Sequence, residues 1–92
     1  MDRVSLVITG RVQGVGFRWY VQRTAAVLGL AGEVRNRPDG AVEVEAEGPR
    51  ELLERLVEAA SQGPSGASVA GVDVRWSEGP PRHHEFHVGR SS

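Results

Sequence analysis

Apolar residues follow two spacings along this 92-residue chain, and each change of spacing marks an element. Val4-Ser5-Leu6-Val7-Ile8-Thr9-Gly10, running on to Val12, is dense in β-branched side chains and predicts a first strand. Gln13-Gly14-Val15-Gly16 breaks it as a glycine-punctuated loop. From Phe17 the period lengthens. Phe17, Tyr20, Val21, Thr24, Ala25 and Leu28 recur at three- and four-residue steps, one face of a helix, and Gly29 stands where such a helix ends. Two further strands, about Leu30 to Asn36 and about Ala41 to Glu47, flank Arg37-Pro38-Asp39-Gly40, the chemistry of a tight hairpin turn. In the later strand Val42, Val44 and Ala46 alternate with Glu43, Glu45 and Glu47, so the three glutamates are expected on a solvated face.

Gly48-Pro49 opens a second helix, with proline at a first-turn position where its missing N–H costs nothing. Its stripe is Leu52, Leu53, Leu56, Val57 and Ala60, and Gly63-Pro64 ends it. A fourth strand, roughly Val69 to Trp76, and a short fifth around Glu85 to Val88 complete the chain. The order β-α-β-β-α-β plus one strand predicts an α+β, ferredoxin-like sandwich: an antiparallel sheet with both helices on one face, residues 1–92 forming a single domain. Many unrelated functions share that architecture, so it settles little else.

Composition narrows the function. The 11 basic residues, all arginine, nearly balance 12 acidic ones. A net charge of −1 argues against a general nucleic-acid binder. With no cysteine, disulfide scaffolds, zinc fingers and thiol nucleophiles are excluded, and with no lysine so is Schiff-base chemistry. No apolar run approaches the ~18 residues of a membrane span, and Met1-Asp2-Arg3 leads into a strand and not a signal peptide; a cytoplasmic, soluble monomer is expected.

The chemistry points to Gly10-Arg11-Val12-Gln13-Gly14-Val15-Gly16-Phe17-Arg18. A glycine-rich turn from strand to helix lets successive N–H groups face one concavity, and the helix N-terminus adds its unpaired donors and dipole. Such a cradle suits phosphate, and Arg18 in the first helical turn could reach the same anion. Neither the Walker loop nor the dinucleotide fingerprint fits, because Gly-Lys-Ser/Thr is absent and Trp19 replaces the third glycine.

With Gly32-Glu33-Val34-Arg35-Asn36-Arg37-Pro38-Asp39-Gly40, that stretch closely resembles the acylphosphatase family, whose signatures are Gly-x-Val-Gln-Gly-Val-x-Phe-Arg and Gly-x-Val-x-Asn-x-x-x-Gly. Gly63-Pro64 followed by Ala67-Ser68-Val69 adds to a likeness running from about Arg3 to Arg90. The resemblance implies hydrolysis of acyl phosphates to a carboxylate and inorganic phosphate, without cofactor or metal. By residue match, Arg18 would hold the substrate phosphate, the backbone amides of Gln13, Gly14, Val15, Gly16, Phe17 and Arg18 would form the cradle, and Asn36 would position the attacking water. Glu33 departs from the pattern, since many relatives carry an aromatic residue there.

The alternative is a non-catalytic anion-binding or regulatory module of the same fold. An RNA-recognition domain would place aromatics on its first and third strands, and Ala41 to Glu47 has none. His83, His84 and His87 lack the carboxylate spacing of a metal site and are expected on an exposed edge. Trp19, Tyr20 and Trp76 are expected to be packing residues.

Overall fold

The computed structural model describes residues 1–89. It contains β1 (Asp2–Arg11), α1 (Phe17–Val27), β2 (Ala31–Asn36), β3 (Val42–Gly48), α2 (Arg50–Gln62), β4 (Ser68–Glu78) and β5 (Phe86–Val88). The sheet order is β4-β1-β3-β2-β5. The first four strands pair antiparallel, as the pattern implies, but β5 joins the edge of β2 in parallel, with Val34 opposite Val88, so the sheet is mixed.

Alternation in the strands and the stripes on the helices meet in one core. Val4, Leu6, Ile8, Val34, Val42, Val44 and Ala46 are buried against Phe17, Val21 and Ala25 of α1 and Leu53, Leu56 and Ala60 of α2. Each large apolar side chain so buried contributes about 1.5–3 kcal/mol relative to exposure. A domain's net stability is only ~5–15 kcal/mol, so this face decides the fold. α1 closes at Gly29, whose N–H donates to the Ala26 carbonyl while that of Leu30 donates to the Ala25 carbonyl. No helix is long and apolar enough to cross a membrane among the described residues.

Two expectations about side chains are corrected. Trp19 does not pack; it is 64% exposed on α1, whereas Trp76 lies under the Arg50 guanidinium, 3.5 Å from the ring centre. More consequentially, Glu47 is not solvated. Its strand alternation does direct it to the outer face, but residues 79–83 fold over that end of the sheet and bury it together with Arg3. The Glu47 carboxylate accepts from Arg3 Nε (3.2 Å) and Nη2 (3.0 Å) and from the backbone N–H groups of Arg82 and His83. Arg3 Nη2 also donates to the Pro80 carbonyl at 2.9 Å. This carboxylate therefore straps the β4–β5 connection to the sheet.

Candidate active site

The β1–α1 junction is built by backbone geometry. Gly14 and Gly16 take φ of 75° and 78°, the left-handed region that a side chain disfavours, and Gly16 is the N-cap of α1. Two left-handed residues two apart turn the loop sharply after β1. With no side-chain cap at Gly16, the opening N–H groups of α1 have no such local acceptor. Val12 and Phe17 at the two ends of the loop are buried in the core, so the turn is pinned at both sides while Gly14 and Gly16 stay exposed.

Arg18 follows one residue into α1, half-buried, and its Nη1 donates to the carbonyl of Gly89 at 3.2 Å. Gly89 in turn donates its N–H to the Val34 carbonyl at 2.7 Å, next to the parallel β2–β5 pairing. The guanidinium is thus held against the edge of β2.

Asn36 is the last residue of β2. It alternates with Gly32 and Val34, which places it on the sheet face covered by α1. Its Oδ1 is buried and accepts no hydrogen bond among the described residues. Leaving such an acceptor unpaired costs about 1–3 kcal/mol, so a buried orphan on a side chain is a marker of a group reserved for a ligand or water.

The loop reaches this same point. Gln13 Nε2 donates to the carbonyls of Arg37 at 2.8 Å and Ala41 at 2.9 Å, immediately beyond Asn36. The candidate residues therefore gather at the C-terminal end of β2: the cradle through Gln13, Arg18 through Gly89, and Asn36 itself. The sequence pattern marks Gln13 as a backbone donor only, whereas its side chain bridges to the hairpin, and Gly89 accepts from Arg18. A polar residue alone among Val12, Gly14, Val15 and Gly16 was the signal available for the first; nothing local signals the second.

The surrounding charges serve the hairpin and the outer face. Arg35 Nε donates to Glu43 Oε1 at 2.7 Å, and that hydrogen bond, with the attraction of the same carboxylate, raises the Arg35 pKa. Arg37 pairs with Asp39 across the turn, whose Oδ1 accepts from the Ala41 N–H. His83 Nε2 lies 2.9 Å from Glu45 Oε1, and His87 approaches Glu33 at 3.8 Å. His83 is mostly covered and not exposed as expected, again because its segment folds over the sheet. No group of three or more His, Asp or Glu side chains is placed to hold a metal ion among the described residues.

The fold is a ferredoxin-like α+β sandwich that carries, around the end of β2, a loop turned by two left-handed glycines, a half-buried arginine and an orphaned carboxamide. The acylphosphatase family model matches residues 4–88. The acylphosphatase of Salinibacter ruber is 52% identical over 96% of this chain and 93% of its own length. The crystal structure of acylphosphatase from Bacillus subtilis superposes with a TM-score of 0.93 at 43% identity, covering 97% of this chain and 99% of that one. Full-length HypF in a phosphate- and nucleotide-bound form matches at a TM-score of 0.85 and 28% identity, with this chain spanning 12% of it. The chain belongs to the acylphosphatase family.

Proposed function

We propose that the chain, an enzyme of the acylphosphatase family, hydrolyses acyl phosphates by in-line attack of a positioned water, with Arg18 and the backbone N–H groups of Gln13 to Arg18 gripping the phosphate and Asn36 aiming the water. The observation that carries the assignment is the buried, unpartnered Asn36 Oδ1 at the strand end where the loop and Arg18 converge. An amide oxygen can accept a hydrogen from water and fix its line of approach, but it is too weak a base to take the proton.

The chemistry asks for little more. The leaving group is a carboxylate whose conjugate acid has a pKa of about 4, so it departs without a general acid or a Lewis acid. Phosphoryl transfer then depends on positioning and on donors around the equatorial oxygens. Main-chain N–H groups held by left-handed Gly14 and Gly16, and a planar guanidinium, are donors of that kind. Inorganic phosphate, the product, fits the same cradle and would compete with substrate; the phosphate-bound form of HypF, a relative of the same fold, supports that reading. We take the protein to act as one domain over residues 1–92, as a cytoplasmic monomer needing neither cofactor nor metal, with no nucleic-acid or membrane partner. The single core cluster supports the one domain, and the near-balanced charge supports the lack of a nucleic-acid partner.

The test is hydrolysis of benzoyl or acetyl phosphate in excess chelator. Arg18→Gln should abolish turnover and weaken competition by inorganic phosphate. Asn36→Ala should lose ~10²–10³ in rate while phosphate still binds. Normal rates in both variants would refute the assignment.

A further inference from the structure

We propose that the Gln13 side chain is a positioning residue that sets the phosphate loop in register with Asn36; the inference rests on the functional reading above. Gln13 is the one residue from Val12 to Gly16 with a polar side chain. Both hydrogens of its amide nitrogen are accounted for by hydrogen bonds, to the Arg37 carbonyl at 2.8 Å and the Ala41 carbonyl at 2.9 Å.

Those two acceptors are not arbitrary. Arg37 and Ala41 close the neck of the β2–β3 hairpin, where the Arg37 N–H donates to Ala41 O at 2.8 Å and the Gly40 N–H to Arg37 O at 3.1 Å. Asn36 and its partner Val42 are the next pair along the ladder. One carboxamide thus spans both strands of the neck, one step from the orphaned Asn36 oxygen. A single bond would leave a hinge; two, to opposite strands, fix the loop both across the hairpin and along it.

Packing of Val12, Val15 and Phe17 anchors the loop to the core, but those apolar side chains offer no directional bond to the hairpin. A Cβ at Gly14 or Gly16 would meet nothing within 4 Å, so neither residue is braced by neighbours on its side-chain side. The loop carries the phosphate and the hairpin carries the water, and in-line attack depends on the offset between them. A misplacement of about 1 Å can cost roughly 10²-fold in rate. Gln13 is the side chain whose geometry controls that offset.

The experiment compares Gln13→Met, of similar length but without donors, in the wild-type and Asn36→Ala backgrounds. In the single variant kcat should fall by about 10²-fold. Its inhibition constant for inorganic phosphate should stay within about threefold, because the main-chain cradle moves as a body with its anion. In the Asn36→Ala background the same substitution should cost little more, since no aimed water remains to be misaligned. An unchanged kcat in the single variant overturns the inference, and so does an equal further loss on top of Asn36→Ala. Folding is checked by circular dichroism. If Gln13→Met does not fold, Gln13→Asn, which keeps the donors but withdraws them by one methylene, takes its place in both backgrounds, and the same two results overturn the inference. A wild-type rate in Asn36→Ala overturns the functional reading as well, and it is seen without any change at Gln13.

Discussion

Replacing Glu47 with glutamine tests how much of the molecule depends on its buried carboxylate. Oε2 accepts from Arg3 Nε and Nη2, while both oxygens receive the Arg82 N–H and Oε1 receives that of His83. A glutamine has one acceptor oxygen. Placed at Oε2 it sets its own NH2 against the His83 N–H; placed at Oε1 it sets NH2 against a guanidinium. Either way a positive charge that is almost fully buried loses its counter-ion, and in the second arrangement it keeps only the Pro80 carbonyl as an acceptor. Removing one partner of such a pair costs roughly 3–5 kcal/mol, whereas a solvated bridge is worth ~0–1 kcal/mol. At about 4–8 °C per kcal/mol for a domain of this size, the melting temperature at pH 7 should fall by roughly 12–40 °C. Urea unfolding should show the same loss, and replacing both Arg3 and Glu47 with leucine should restore only part of it, because the Arg82 and His83 N–H groups still lose their acceptor. Burial by itself pushes the Glu47 carboxyl pKa up, but the Arg82 N–H, the Arg3 hydrogen bond and charge, and the His83 N–H outweigh it, and the net direction is down. The stabilisation is therefore full above the ordinary carboxylate range and lost as pH falls through the lowered value. The wild type should weaken in acid more steeply than Glu47→Gln. A change below about 1 kcal/mol at pH 7 would refute the reasoning, because it would equate this pair with a surface bridge.

Two backbone substitutions address the site and the sheet. Gly16→Ala meets no atom within 4 Å, so its cost is conformational, about 1–2 kcal/mol for a left-handed alanine. Thermal melting should register that, and competition by inorganic phosphate should weaken as the loop relaxes; unchanged inhibition would detach the cradle from this glycine. Gly32→Ala drives a Cβ into the Glu45 carbonyl oxygen, near the start of the β2–β3 ladder. The strands must separate, and a loss above about 3 kcal/mol, or failure to fold, is expected by denaturant titration; a near-normal midpoint would contradict the packing.

Residues whose environment is local were legible in the sequence. The alternation of Val42, Val44 and Ala46, the stripe of Leu53, Leu56 and Ala60, and the turn at Pro38-Asp39-Gly40 each carry their own reason, and each lies where its pattern put it. The family likeness gave Arg18 and Asn36 as candidates. What escaped depends on segments far along the chain. Glu47 shares the outward register of Glu43 and Glu45, yet Arg82 and His83, more than thirty positions later, decide that it is buried. The parallel pairing of β5 follows from where that strap delivers the chain. Alternation names a face; only the fold says what covers it.

The bonds that assemble the pocket join residues 24, 28 and 71 positions apart, and the sheet seats β1 between β3 and β4. Chain closure over such separations comes late in folding, after local helices and the hairpin can already exist. Turnover is accordingly a reporter of the finished topology: during refolding it should trail the recovery of helical signal.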